Sequence, residues 1–211
     1  MTITMAENTD SHPSPEQVRR GRRTALLLFV LGFGPILLAT AMYYTGWLNP
    51  SGHSNNGVLV DPPVPVNELN LVTAEGAPLG ERFGPEISDA EWLMLVVAGD
   101  CTEACQELIY LARQVNIALG KNADRVNRAA YVEQVPAGLS STWNQDYSGM
   151  ERLQRAEGRK SAWPAGVDPG QKPQILLVDP FGNIMMRYGT EHGGKAMLED
   201  LKHLLKLSQI G

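Results

Sequence analysis

The chain has 211 residues, 43% of them hydrophobic and 19% charged, which is room for one globular domain and an appendage. Its net charge of −5 is unevenly spread, because residues 1–50 carry Arg19, Arg20, Arg22 and Arg23 against Glu7, Asp10 and Glu16. The acidic excess falls on the remainder. That argues against a nucleic-acid partner, since phosphate binding needs a clustered Lys/Arg footprint, and a count of two cysteines excludes a disulfide-dense scaffold and a four-Cys zinc module.

Residues 1–18 are polar, with Ser11, Pro13, Ser14 and Pro15, and are expected to form a disordered cytoplasmic tail. Residues 19–48 are expected to be a transmembrane helix with a basic flank. From Thr24 to Trp47 no residue is charged, and at about 1.5 Å per residue this length crosses a hydrocarbon core of roughly 30 Å. Residues 24–47 therefore make the lipid bilayer a partner. Pro35 kinks such a span without breaking it, and Tyr43, Tyr44 and Trp47 have the make-up of an interfacial aromatic belt. The four arginines place their end in the cytoplasm by the positive-inside rule. The competing reading is a cleaved signal peptide ending at Ala39-Thr40-Ala41. Either way the body lies across the membrane, which in a bacterium is the oxidising periplasm. The expected location is the bacterial inner membrane, single-pass, with the N-terminus cytoplasmic and the C-terminal domain periplasmic.

Residues 49–66 (NPSGHSNNGVLVDPPVPV) are dense in Pro, Gly and Asn and read as an extended linker, so the folded domain is expected over 67–211. Leu69–Val72 and Pro78–Phe83 flank Glu75-Gly76 as a small hairpin. Trp92–Ala98 is a continuous apolar run, the mark of a strand buried on both faces. Cys101 to Leu119 carries Ala104, Leu108, Leu111, Val115 and Leu119 at helical spacing, stopped by Gly120, and Arg128–Val132 supplies a second strand of a βαβ unit. Ser148-Gly149-Met150-Glu151 reads as a capping box opening a helix to about Gly158. Gln174–Asp179 and Asn183–Tyr188 form a hairpin around Pro180-Phe181-Gly182, and a last helix runs from Gly194 to Leu207. The expected class is α/β. A βαβ-α-ββα core after an N-terminal hairpin is the core order of a thioredoxin-like fold.

Cys101 and Cys105 sit where the first buried strand hands over to the first helix. Helix N-terminal N–H groups and the positive dipole end lower a thiol's pKa there, and a thiolate is both nucleophile and metal ligand. The spacing is Cys-x3-Cys. That spacing puts the thiols one full turn apart on one helix face, with Cβ atoms about 5–6 Å apart, whereas a disulfide wants about 3.5–4.5 Å. A disulfide then requires the first turn to deform, while a soft ion such as Cu(I) is bridged without deformation. Cys101, nearer the helix start, is expected to be the more accessible thiol.

A single N-terminal span, a thioredoxin-like domain and Cys-x3-Cys together resemble the Sco/SenC proteins, membrane-anchored factors that handle copper and thiols in cytochrome c oxidase assembly. The stretches GWLNPSGHSNNGVLVDPP and WLMLVVAGDCTEACQELIYLARQVNIALGKNADRVNRAAYV are similar to a group of proteobacterial membrane proteins regarded as oxidase assembly or oxidase-associated proteins. The motifs carrying this are Cys-x3-Cys, Arg113 to Lys121 and the Asn-Gly-x-Leu of the linker. The resemblance implies oxidase subunits or other assembly factors as partners and Cu(I) as the metal. It departs from the Sco pattern at Gln106, where those proteins carry Pro, and near Gln171, where they present a histidine as third copper ligand.

Two further residues are placed at the site by the expected fold. The loop Gly189–Gly194 is expected near Cys101, so His192 is a substitute ligand or proton acceptor, or else an exposed loop histidine. Pro173 occupies the place of a cis-proline shaping a substrate surface, or is a trans proline that starts a strand. His53, His203 and His12 are weaker candidates, and Met185 and Met186 are expected to pack in the core. The leading expectation is an assembly factor, not an enzyme, presenting Cys101 and Cys105 to copper or to a partner's cysteines. The alternatives are a thiol-disulfide oxidoreductase of the ResA/TlpA type, with the two cysteines as redox pair, and a redox-inert scaffold.

Overall fold

The computed structural model describes residues 14–45 and 55–208, and the chain divides into two compact units, Met1–His53 and Ser54–Gly211. The described part of the first is one α-helix, Pro15–Thr45 (α1), whose most apolar stretch has a mean hydropathy of 2.3. Its length and composition suffice to cross a membrane. None of its residues is buried by protein, which fits a helix solvated by lipid. The helix starts at Pro15, so residues 15–18, expected in the disordered tail, are helical. Phe29 and Phe33, one turn apart, stack at 4.5 Å. Tyr43 and Tyr44 are exposed at its far end; Trp47 and His12 lie outside the described residues.

The described part of the second unit is a seven-stranded mixed sheet with three α-helices. In chain order its strands are Val58–Pro65 (β1), Leu71–Val72 (β2), Trp92–Asp100 (β3), Val126–Gln134 (β4), Glu151–Arg155 (β5), Gln174–Val178 (β6) and Asn183–Tyr188 (β7); its helices are Glu103–Ala118 (α2), Ala137–Asp146 (α3) and Gly194–Leu207 (α4). The spatial order is β1-β7-β6-β3-β4-β5-β2. β3 pairs in parallel with β4 through the α2 crossover, and antiparallel with β6.

β3 explains why its sequence is apolar without alternation. Trp92, Met94, Val96 and Ala98 enter one core with Leu108, Ile109 and Ala112 of α2 and Met197 and Leu201 of α4. Leu93, Leu95 and Val97 enter a second core on the opposite face with Val60, Leu69, Leu71, Leu79 and Val167. A strand covered on both sides has no face left for polar residues. β6 divides in the same way, Ile175 and Leu177 to one core, Leu176 and Val178 to the other.

Three stretches differ from the sequence expectation. Residues 58–65, expected as linker, are the edge strand β1, paired antiparallel with β7; its three prolines, Pro62, Pro63 and Pro65, suit an edge, where a missing N–H costs no ladder bond. The expected helix after Ser148 is strand β5, parallel to β4 over Glu151–Leu153. Its charged sequence buries only Leu153, which is too little apolar pattern to hold a helix on the core. Ser148–Met150 is instead a turn, closed by Met150 N–H to the Tyr147 carbonyl at 2.8 Å and by the Trp143 indole N–H to the Met150 carbonyl at 3.0 Å. The helix lies before it, as α3, where Leu139 and Trp143 stand one turn apart and are both buried. The Glu75-Gly76 turn is present, with Thr73 N–H on the Ala77 carbonyl at 2.9 Å; its second arm is a single bridge, Val72 to Pro78, followed by a 3-10 turn over Leu79–Arg82.

The segment leading into β1 is fixed by α4. Asp200, 5% exposed, accepts from the backbone N–H of Asn56 at 2.9 Å and of Gly57 at 2.8 Å, and from the Tyr188 hydroxyl at 3.0 Å. Gly57 lies so close to Tyr188 that a Cβ there would stand 2.5 Å from the ring. The Asn-Gly of the linker motif is therefore a docking point on the sheet. His53 lies outside the described residues.

Candidate thiol site

β3 ends at Asp100, and α2 begins only at Glu103, with Thr102 as an extended N-cap residue at φ −70° and ψ −177°. Cys101 therefore precedes the helix, while Cys105 is in its first turn. This removes the premise that both cysteines share a helix face. The extended step at Thr102 draws the two α-carbons to 4.9 Å, and Cys101 and Cys105 form a disulfide. That separation is well inside the range of about 4.4–6.8 Å for bridged cysteines, so no helical turn has to deform.

The pair closes the helix-side core. Cys101 is 3% exposed and Cys105 is fully buried, so the small accessible part of the disulfide belongs to Cys101, the order expected from sequence. The Cys101 N–H donates to the Gln134 carbonyl at 3.3 Å, and the Gln106 side-chain amide donates to the Cys101 carbonyl at 3.4 Å. Gln106 thus pins the residue whose chain must stay extended. The open side of Cys101 is a shallow surface shared with Asp100, Thr102, Gln134, Val135 and Pro136. Thr102 makes no side-chain cap to α2, so its side chain satisfies none of the first-turn N–H groups at the positive end of the helix, where the pair sits.

The other expected site residues fall elsewhere. His192 is turned into its own loop: its Nδ1 accepts from the Gly189 N–H at 3.0 Å, and its ring meets Tyr188 edge-on at 5.6 Å. An Nδ1 that accepts carries no proton, so the Glu191 carboxylate 3.4 Å away is a neighbour and not an ion partner in that state. Among the described residues no group of three or more His, Cys, Asp or Glu is assembled to hold a metal ion. His192 is therefore not brought to the pair as a third ligand. The Lys172–Pro173 bond is trans, the one cis bond among the described residues being Asp61–Pro62. Pro173 follows a tight turn, with the Gln171 and Lys172 N–H groups both on the Asp168 carbonyl at 3.0 Å, and serves as the residue before β6. Gln171, at the place of the third ligand in the Sco pattern, donates to Asp168 Oδ2 at 2.7 Å. His203 is exposed on α4. Met186 is buried and Met185 packs partly buried against the same core.

Two features were not anticipated from sequence. The paired register of β4 and β5 ends at Tyr131 and Leu153, and a cavity of about 630 Å³ is lined there by both strands and by α3, with Trp143, Arg152 and Arg155 in its wall. Arg152 lies 5.6 Å over the Trp143 ring, and Arg155 bonds both Glu133 and the Tyr131 hydroxyl. This cavity shares Val135 with the Cys101 surface. The second feature is a smaller cavity on the β6–β7 side, reaching Ala104 between the two cysteines. Neither was legible because each depends on where β5 and the 166–173 loop pass.

No curated protein matches the chain. Among solved structures, yeast Sco1 is similar over 71% of this chain and 96% of its own, at 14% identity and a TM-score of 0.51. ScoI of Arabidopsis thaliana with copper bound gives 11% identity, 69% and 98% coverage and a TM-score of 0.47. A thio-disulfide isomerase from Thermus thermophilus gives 15% identity, 70% and 94% coverage and a TM-score of 0.43. The yeast match shows the thioredoxin-like fold, as the element order anticipated. Residues 15–46 match the model of a transmembrane-like N-terminal domain, and residues 92–208 match that of a transmembrane-like, thioredoxin-like C-terminal domain. With more than half of its length inside that second model, the chain belongs to the transmembrane-like, thioredoxin-like family.

Proposed function

We propose that this protein is a membrane-tethered, periplasmic accessory factor of cytochrome c oxidase biogenesis that presents Cys101 and Cys105 to copper or to a partner's cysteines. The observation that carries the reading is the cysteine pair at the β3–α2 junction, within one chain that also has an apolar helix long enough to span a bilayer. Support for copper comes from the donor chemistry: reduction frees two sulfurs on neighbouring backbone, the minimum set for a two-coordinate Cu(I) cargo, and thiolates favour that ion. Copper is bound in the similar ScoI structures of Arabidopsis thaliana and Bradyrhizobium japonicum, and BsSco, also similar, is a member of the Sco family of cytochrome c oxidase assembly proteins.

The chemistry at the pair is a two-electron exchange. A partner dithiol reduces the disulfide, one partner sulfur bonding first to Cys101 as the Cys105 thiolate leaves. The second partner sulfur then displaces Cys101, so the partner ends as a disulfide and two protons rest on the chain's thiols. The reduced pair delivers or receives the metal. Anaerobic Cu(I) titration of the reduced full chain in detergent micelles, against a competing chelator, tests the reading. One tightly held Cu(I) per chain, lost in Cys105→Ala, is expected; absence of binding overturns the copper role.

A second reading, thiol-disulfide exchange with exported proteins, is favoured by the closed disulfide itself, which the fold accommodates with α-carbons at 4.9 Å. Catalytic reduction of a mixed disulfide without Cu(I) binding would select it.

A further inference from the structure

α1 is a formed helix before its apolar stretch begins. The Ser14 N–H donates to Gln17 Oε1 at 2.9 Å and the Gln17 N–H to Ser14 Oγ at 3.3 Å, a reciprocal capping box that fixes the first turn. Pro15 is the first helical residue, a position that suits its missing N–H. Arg19, Arg20, Arg22 and Arg23 are therefore displayed by a capped helix and not by a fraying tail. All four are exposed, and none of their guanidinium groups makes a hydrogen bond or ion pair among the described residues. Residues 15–23 hold a single acid, Glu16, which is not ion-paired to any of them. Arg19 and Arg23, one turn apart, repel each other across a Cβ separation of about 5–6 Å. At about 100° per residue, Arg19, Arg23 and Arg20 fall within one arc of about 100°, and Arg22 lies beyond its end. With Ser14, Glu16 and Gln17 those three line a concavity of about 520 Å³, whose wall does not include Arg22. The helix runs unbroken from this concavity into the uncharged stretch that starts at Thr24. With that stretch in hydrocarbon, the turn from Arg19 to Arg23, about 6 Å long, coincides with a headgroup layer of about 5–8 Å. The acceptors met at that depth are lipid phosphates.

We propose that Arg19, Arg20 and Arg23 bind the phosphate of an anionic phospholipid, so that α1 selects charged lipid as well as spanning the bilayer. Phosphate oxygens accept from guanidinium forks in charge-assisted bonds. A phosphatidylcholine headgroup brings its own ammonium and no net charge, whereas phosphatidylglycerol brings the uncompensated anion that three unpaired cations attract. The positive-inside rule concerns only the direction in which such a helix points; a lipid preference carried by three arginines out of four is a separate property. The proposal rests on α1 crossing a bilayer and holds whatever Cys101 and Cys105 do.

The test is electron spin resonance of the full chain in phosphatidylcholine vesicles carrying a trace of spin-labelled phosphatidylglycerol or spin-labelled phosphatidylcholine. The fraction of each label immobilised by the protein gives its relative association. A preference of about threefold or more for phosphatidylglycerol is expected at low salt, falling toward one in about 1 M NaCl. The variant Arg19→Gln/Arg20→Gln/Arg23→Gln should abolish it while leaving the helix content and the thermal midpoint of the chain unchanged. Arg22 and Arg23 lie at nearly the same depth and carry the same charge, so they separate a site from net charge alone: Arg23→Gln is expected to lower the preference by about half, and Arg22→Gln to change it little. Equal loss in those two variants, equal association of the two labels, or a preference that survives in the triple variant overturns the proposal. Loss of the preference in inorganic phosphate beyond that in NaCl of equal ionic strength assigns the site to free phosphate and overturns the lipid as its occupant. Immobilisation of neither label shows that α1 is outside the bilayer, which overturns the premise and leaves the chemistry of the cysteines untouched.

Discussion

The carboxylate of Asp200 in α4 accepts the backbone N–H of Gly57 at 2.8 Å across 143 residues of sequence. Asn56 and Tyr188 donate to the same carboxylate, so one buried anion gathers the start of the domain, the end of β7 and the last helix. Asp200→Ala removes the acceptor of four donors at once, the Asn56 side-chain amide being the fourth. A loss on the order of 3 kcal/mol is expected, read as a fall of about 6–12 °C in thermal midpoint for a domain of this size. Gly57→Ala is expected to cost about 1–3 kcal/mol from overpacking, because its methyl meets the Tyr188 ring. Midpoints within 1–2 °C of wild type for both variants would contradict the arrangement.

Tyr188 also carries an alkaline signature. Burial pushes its phenol well above the ordinary tyrosine range, reinforced by the neighbouring Asp200 charge and by the hydrogen bond its hydroxyl donates there. The unfolded chain releases this proton near pH 10, the folded chain only at much higher pH. Stability from this group is thus fully present below about pH 10 and declines as pH rises beyond it. Denaturant titrations at pH 8 to 11 are expected to show that decline, and Tyr188→Phe should flatten it; an equally steep decline in Tyr188→Phe would remove Tyr188 as its source.

The two cysteines differ in what may replace them. Cys105 is fully buried among Leu108, Ile109 and other apolar side chains. Both Cys105→Ala and Cys105→Ser break the disulfide, but serine also buries a hydroxyl, at about 1–3 kcal/mol if it finds no partner. Cys105→Ala is expected to be the more stable in urea titrations, and it is the variant for functional assays. Equal stability of the two would show that the hydroxyl finds a bond near the first turn of α2.

The direction of α1 is tested by reporter fusion. A phosphatase active only across the membrane, fused after Ser208, is expected to be active. Exchanging Arg19, Arg20, Arg22 and Arg23 for Glu should reduce that activity sharply. Activity of a cytoplasm-requiring reporter at the same position would reverse the topology.

The elements bearing on the cysteines were legible because they are buried patterns of good length. β3 showed as an unbroken apolar run, α2 and α4 as stripes of period 3.6, and β6–β7 as two strands around Pro180-Phe181-Gly182. What escaped was local and amphoteric. Glu151–Arg155 has one apolar residue, compatible with strand or helix, and only its place beside β4 decides. β1 reads as a linker because its prolines are forbidden in a central strand, and sequence cannot say that it lies at an edge. The disulfide was judged against an ideal helix, whereas the extended Thr102 keeps Cys101 outside it. His192 and Pro173 were placed by fold order alone, which sets a neighbourhood and leaves side-chain direction and peptide geometry free.

The position of β1 has a consequence for how the domain is made. Among the described residues its only sheet neighbour is β7, and the residues just before it are clasped by α4, so the first strand of the sheet to be synthesised has no partner until nearly all the described chain has followed. β3, α2 and β4 can assemble among themselves while β1 waits, an unpaired strand. Synthesis of residues 183–200 is then the event that closes the sheet, and a chain arrested before it presents an open edge to whatever meets nascent chains at the membrane.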